Sequence, residues 1–453
     1  MDATDTWPKR FFALDVSRGF AALAVVFWHW QHFTFTGTSM DENFQRSSLP
    51  FYSVLHPFYD RGFMGVDYFF MLSGFIFFWL YRDAIAERRV SLGRFWGQRF
   101  SRLYPLHLLT LLLVAGLQYA YFKSAGDTFV YPNNNGFHFV LNLFMASKWG
   151  LEQNQTFNGP SWSVSVEILC YMIFFLLAFL RLGGFWFCLA LSVATVYVRQ
   201  HFAQGISYYI GSIEIHYFKD IMRGLLFFWG GFLFYATSRI ATRPRMRRAV
   251  LIVCATSWLT TIVSMYIFDI ASHVRALGPW GNPLVEHFIT YVLFSSTIVS
   301  LVLTELHKGD FAKPFAWIGD ITYSSYLLHF PIQICIALLV SHDLLRSNFY
   351  LSPIALVLFF ALLISLSYAT FRGFERPVQN ALRRFFQRHS SPPQSSQAQK
   401  DYPKASDQAP LRRDWMRVSG FQSQAESSTA ATMPSPWMAN EGTRSPESAN
   451  TQR

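Results

Sequence analysis

The chain has 453 residues, of which 52% are apolar, 18% aromatic and only 14% charged, and it carries a formal net charge of +11. Soluble domains use about 25% charged residues to cover their surface, so this composition excludes an assembly of soluble domains and points to a membrane protein. The positive excess fits loops facing anionic lipid better than a nucleic-acid footprint.

After a polar lead over 1–10, apolar runs centre on 11–30, 63–81, 103–122, 162–180, 185–198, 221–236, 250–268, 288–303, 315–340 and 351–371. At about 20 residues per crossing, this predicts an all-α, polytopic bundle of about ten transmembrane helices over 11–378. The first run outlasts a signal-peptide core and meets no small-residue cleavage site, so it is expected to be retained. Alternate connections carry Arg82, Arg88, Arg89, Arg94 and Arg99, then Arg239, Arg243, Arg245, Arg247 and Arg248, while the opposite set is poor in basic residues. The bias orients both termini to the cytoplasm, in a bacterial-type inner membrane. Segment 379–453 begins basic and turns, near Ser390, to Ser, Gln, Pro and Ala. Such a composition cannot bury enough apolar area to offset chain entropy, and a mostly disordered cytoplasmic tail is expected. The four cysteines, Cys170, Cys188, Cys254 and Cys335, sit singly in apolar runs and look like packing residues.

Ionisable groups inside spans are expensive, so they mark where chemistry is to be sought. In the first span Arg18 and His29 stand in an Arg-x10-His spacing, which is about 20° of rotation and about 16 Å of rise on a helix. They share one face at different depths. The second span opens GVDYFFMLSGF, putting Asp67 about 7 Å below the outer surface. The Ser73–Gly74 pair deeper down lets another helix approach closely. Arg99 and Arg102, at i and i+3 where the third span enters, face the same way and can fork onto phosphate oxygens, though basic residues there also follow from topology alone. In the fourth span Ser163, Glu167 and Tyr171 follow at i, i+4 and i+8, one polar stripe with Glu167 about 10 Å deep. A glutamate there needs a partner or handles protons. His329, in YSSYLLHFP, falls at middle to outer depth, as a packing histidine or as part of the same site. No histidines cluster with ligand spacing, so no metal site is expected.

These positions collect guanidinium groups on the cytoplasmic side and His29, Asp67, Glu167 and His329 in the outer half. The chain resembles the acyltransferase family 3 of integral membrane proteins. The resemblance runs from about Phe12 to Pro377 and rests on LDVSRGFAALAVVFWHW, GVDYFFMLSGF, RFSRLYP, WSVSVEILCY, YSSYLLHFP and FERP in that order. It implies an acyl-coenzyme A donor (acyl-CoA), commonly acetyl-CoA, used from the cytoplasm with no permanently bound cofactor, and a carbohydrate or glycolipid acceptor on the outer side. It also implies that Arg18 and His29 are essential and that Arg99 and Arg102 hold the coenzyme. On this reading His29 is general base or acyl carrier, and Glu167 or Asp67 fixes its tautomer. Glycan-assembly proteins are the expected partners. Intramembrane His, Asp, Glu and Arg also build proton relays, so a proton-coupled transporter or glycolipid translocase is the rival class. A lipid-binding scaffold or sensor is a third.

Overall fold

A computed structural model describes residues 7–151, 154–201, 208–210, 213–215, 218–266 and 281–390. The polar tail beyond 390 lies outside the described residues. The principal helices are α1 (Phe12–His29), α2 (Tyr52–Arg61), α3 (Gly65–Leu80), α4 (Leu92–Ala125), α5 (Trp162–Phe179), α6 (Phe185–His201) and α7 (Phe218–Gly224). They continue with α8 (Leu226–Ala241), α9 (Pro244–Tyr266), α10 (Ser295–Lys308), α11 (Thr322–Ser341), α12 (Pro353–Thr370) and α13 (Arg376–Ser390).

Among the described residues, 8 helical stretches are long and apolar enough to cross a membrane. The shorter α6 and α8, 17 and 16 residues, cover the remaining two apolar runs. The chain is a multi-pass integral membrane protein built almost wholly of helix. Among the described residues the strands are two short antiparallel pairs, Phe35–Thr36 with Ser39–Met40 and Tyr208–Ile210 with Ile213–Ile215. The basic start of the expected tail, 379–390, is helical as part of α13.

The centre of the bundle is α3 against α8. A Cβ added to Gly74 would strike the Phe227 carbonyl, and one on Gly230 the Met71 carbonyl, so these backbones touch because both positions lack side chains. Phe75, Phe78, Phe227 and Phe228 fill the space around that contact and are fully buried. With little hydrophobic drive between helices in lipid, this close packing and the hydrogen bonds between helices hold the bundle together. Cys170 and Cys188 are buried in it, whereas Cys335 is exposed.

Two local devices set the helices that matter most for function. The start of α1 has no capping side chain of its own. Glu305 of α10 supplies the cap, accepting the Phe12 and Ala13 N–H groups at 2.8 Å each, and its charge also suits the positive end of the helix. In α11, Pro331 has no N–H and frees the Leu327 carbonyl one turn back. The Asn158 side chain donates to that carbonyl at 3.1 Å, tying the loop before α5 to α11. Two stretches of π-helix, Phe288–Phe294 and Phe371–Glu375, interrupt the regular turns before α10 and before α13. Such insertions re-aim side chains and recur at functional sites.

Candidate active site

Two neighbouring cavities inside the bundle hold the residues of interest. The smaller, about 140 Å³, is lined by Arg18 of α1, Ser73 and Phe77 of α3, Arg99 and Arg102 of α4, Glu167 and Tyr171 of α5, Tyr323 of α11 and Glu375 of the π-helical turn. Arg18 reaches Asp15 and the Gly319 carbonyl, both at 3.3 Å. Arg99 donates to the Tyr81 hydroxyl at 2.6 Å and lies over the Phe77 and Tyr81 rings, 4.9 Å from each centroid. Arg102 donates no hydrogen bond and forms no ion pair among the described residues, although Glu375 and Glu167 are within electrostatic reach. The Nε atoms of Arg18 and Arg99 are buried without partners. Glu167 accepts from Ser73 at 2.7 Å and from Tyr171 at 2.5 Å, and Glu375 accepts from Ser324 at 2.5 Å. The chamber therefore holds three guanidinium groups with donor capacity to spare, while Glu167 and Glu375 are spent on hydroxyls and Asp320, which also lines it, pairs with Arg10 at 2.9 Å. A buried donor left unmade is costly, so the arrangement suits an anion.

The larger cavity, about 1760 Å³, lies where α1 ends and α3 begins. His29, His32, Asp67 and Arg223 line it together with Trp28, Trp162, Tyr131 and Tyr52. His29 Nδ1 is 2.9 Å from His329 Nε2, and the Gln333 side chain donates to the His29 carbonyl at 2.7 Å. His32 Nδ1 is 3.0 Å from Gln333 Oε1, so one glutamine of α11 fixes both histidines of the α1 end. His329 Nδ1 is buried and makes no hydrogen bond. The tautomer in which His29 Nδ1–H donates to His329 Nε2 is the one that leaves His29 Nε2 unprotonated. His29 Nε2 then carries a lone pair, with no protein partner among the described residues, beside the wide cavity.

Val66 and Tyr326 line both cavities. The Tyr326 hydroxyl is held by the Pro160 carbonyl at 2.9 Å and Ser163 Oγ at 2.8 Å. Val66 and Tyr326 are thus common to the walls of the arginine chamber and the histidine cavity.

Residues 11–372 match the family described as the acyltransferase domain. The chain belongs to that acyltransferase family. The acyltransferase MdmB of Streptomyces mycarofaciens is 37% identical over 116 residues, which is 25% of this chain and 27% of that protein. Protein 2 in the picA locus of Rhizobium radiobacter is 36% identical over 181 residues, 37% of this chain and 82% of that protein. The peptidoglycan O-acetyltransferase OatA of Listeria monocytogenes is 25% identical over 60% of this chain and 45% of its own length. The chain thus spans under half the length of MdmB and of OatA. No solved structure matches.

In this chain Arg18, Arg99, Arg102 and Glu167 meet in one chamber, while His29 and Asp67 line the other cavity. Neither carboxylate is paired with the His29 ring. Asp67 is held by Arg223 Nε at 2.8 Å, and Glu167 by Ser73 and Tyr171. The partner of His29 is His329. Sequence reasoning missed Gln333, Tyr326, Arg223 and Glu375 as site residues. Gln333 and Tyr326 share with His329 the i, i+3, i+4 spacing of one helix face, which was a usable signal. Arg223 lies too far along the chain from Asp67 to be paired with it by spacing. No group of residues able to hold a metal is found among the described residues.

Proposed function

We propose that this chain is a membrane O-acyltransferase that moves an acyl group, acetyl in the simplest case, from acyl-CoA to a hydroxyl of a carbohydrate. The donor enters from the cytoplasm, with the phosphates met by Arg18, Arg99 and Arg102, and the acceptor sits in the wide cavity on the outer side. Both termini are then cytoplasmic and the membrane is the cell's inner one. Glycan-assembly proteins would deliver the acceptor. The OatA relative, named for O-acetylation of peptidoglycan, supports a glycan acceptor.

The observation that carries the reading is the shared wall: a chamber of under-bonded arginines and a cavity holding an unpartnered imidazole nitrogen meet at Val66 and Tyr326. His29 Nε2 takes the proton of the acceptor hydroxyl as its oxygen attacks the thioester carbonyl. The C–S bond breaks, and the coenzyme leaves as a thiolate that is protonated to the free thiol. Meanwhile His329 accepts the hydrogen bond from His29 Nδ1–H, which holds the tautomer and spreads the charge of the imidazolium.

The test is purified protein in liposomes with labelled acetyl-CoA and a panel of oligosaccharides. Free coenzyme A released in proportion to acylated sugar supports the proposal. Movement of a sugar or proton across the bilayer with no thioester consumed would point to the transporter class and reject it.

A further inference from the structure

A coenzyme A thioester is too large for a chamber of about 140 Å³, well below the roughly 300 Å³ at which pockets begin to enclose drug-sized ligands. On the reading proposed above, the phosphates at the far end of the donor therefore lie outside the chamber, and the residues there are open to assignment.

Helix α13 stands at that place. Phe386 packs on Gly97 of α4, where an added Cβ would lie 3.0 Å from the Phe386 Cβ, and its ring meets Phe100 edge-on at 6.1 Å. The contact fixes α13 against the segment of α4 that carries Arg99 and Arg102. Arg383 precedes Phe386 by three residues and so shares its face. Its Nε is buried and has no partner. The charged groups that act on it are Arg102, Arg99 and the Tyr81 phenol, with no carboxylate among them. Arg384, one residue on, instead bonds the Asn380 carbonyl on the exposed side of the helix. A half-buried cation held beside two others, with buried donor capacity unused, is stabilised when an anion joins it.

We propose that Arg383 is a fourth phosphate-binding arginine of the donor site, meeting the phosphates of the coenzyme beyond Arg99 and Arg102. The amphipathic helix α13 is thus the outer wall of the donor site, and its basic character serves more than topology. The same chemistry could be met by a lipid headgroup phosphate, and the experiment separates the two.

Full-length wild type, Arg383→Gln, Arg383→Lys and Arg384→Gln are assayed in phosphatidylcholine vesicles with acetyl-CoA and with S-acetylpantetheine, which lacks phosphates. Arg383→Gln should raise KM for acetyl-CoA about tenfold, the worth of one charge-assisted hydrogen bond, with kcat within about twofold. Lysine should restore part of the loss, and Arg384→Gln should change nothing. Activity with S-acetylpantetheine should be the same in all four proteins, which also certifies that they are folded. Equal losses with both donors, or no change in KM for acetyl-CoA, overturn the assignment. A defect that appears only in vesicles containing phosphatidylglycerol, and with both donors alike, gives Arg383 to lipid and overturns it too. If the wild type acylates nothing from acetyl-CoA, the donor reading itself falls and this inference with it.

Discussion

In the wide cavity each arginine that lines it meets a carboxylate: Arg46 with Asp60 at 3.4 Å, Arg61 with Glu286 at 3.7 Å and Arg223 with Asp67 at 2.8 Å. In the narrow chamber Arg18 meets Asp15 at 3.3 Å, but Arg99 meets a phenol and Arg102 meets no hydrogen-bond partner among the described residues. Both cavities bring cations into a low-dielectric bundle, where an uncompensated charge is costly. The first compensates them within the protein, so its polar surface is complete without a charged ligand. The second leaves the compensation of Arg99 and Arg102 to whatever binds. The same residue type is therefore structural in one cavity and a ligand-binding group in the other, and the difference lies in the partner.

The largest effect on this contrast should come from His29→Ala, which removes the base and leaves the donor chamber intact. A positioned general base is worth roughly 100- to 10,000-fold, so kcat should fall by that factor while binding of acetyl-CoA, measured by equilibrium dialysis, stays as in the wild type. Next comes Arg223→Gln. It strands the Asp67 carboxylate, only 2% exposed, and breaking a buried pair by removing one partner costs about 3–5 kcal/mol. The loss should appear as a lower melting temperature in detergent, not as a weaker donor KM. A selective rise in donor KM with unchanged stability would place Arg223 with the ligand-binding arginines and erase the distinction.

The helices were legible because lipid makes a simple demand: every backbone group must be satisfied within the segment, and each run must be about 20 residues long. The Arg18 to His29 spacing was legible because both residues ride one helix. Pairings between helices were not. Asp67 and Glu167 carried the signal of buried charge, but nothing local tells a carboxylate whether it will meet an imidazole, an arginine or two hydroxyls. Arg223 sits on a short helix of 7 residues, and only the packing of α7 against α3 brings it to Asp67. His329 could be read as a packing histidine or as part of the site, and its bond to His29 depends on how α11 crosses α1. Arg383 was hidden by a rule that works too well, since basic residues beyond a last span are expected on topology alone.

A smaller effect should follow Arg102→Gln. The amide keeps some hydrogen-bonding capacity and loses the charge, so about 1.5–3 kcal/mol of donor binding should go, or roughly 10- to 100-fold in KM for acetyl-CoA. With donor saturating, kcat should stay near that of the wild type, because the histidine cavity is untouched. A fall in kcat at constant donor KM would mean that Arg102 acts on the reacting carbonyl and that the two cavities are not separate in function.

The gentlest probe is salt. Raising ionic strength from about 0.05 to 0.5 M shortens the Debye length from roughly 14 Å to 4 Å, which weakens the pull of unpaired arginines on an approaching polyanion but hardly touches ion pairs in contact. KM for acetyl-CoA should therefore rise several-fold in steady-state assays, while KM for an uncharged oligosaccharide stays flat. The acceptor side has nothing to screen, because Asp60, Glu286 and Asp67 already neutralise the arginines that line it. If salt weakened both substrates alike, the wide cavity would have to present unpaired charge to its ligand, and the acceptor would have to be an anionic glycan. If it weakened neither, the arginine chamber would be satisfied in solution as well as in the fold, and the case for a phosphate-bearing donor would lose its electrostatic basis.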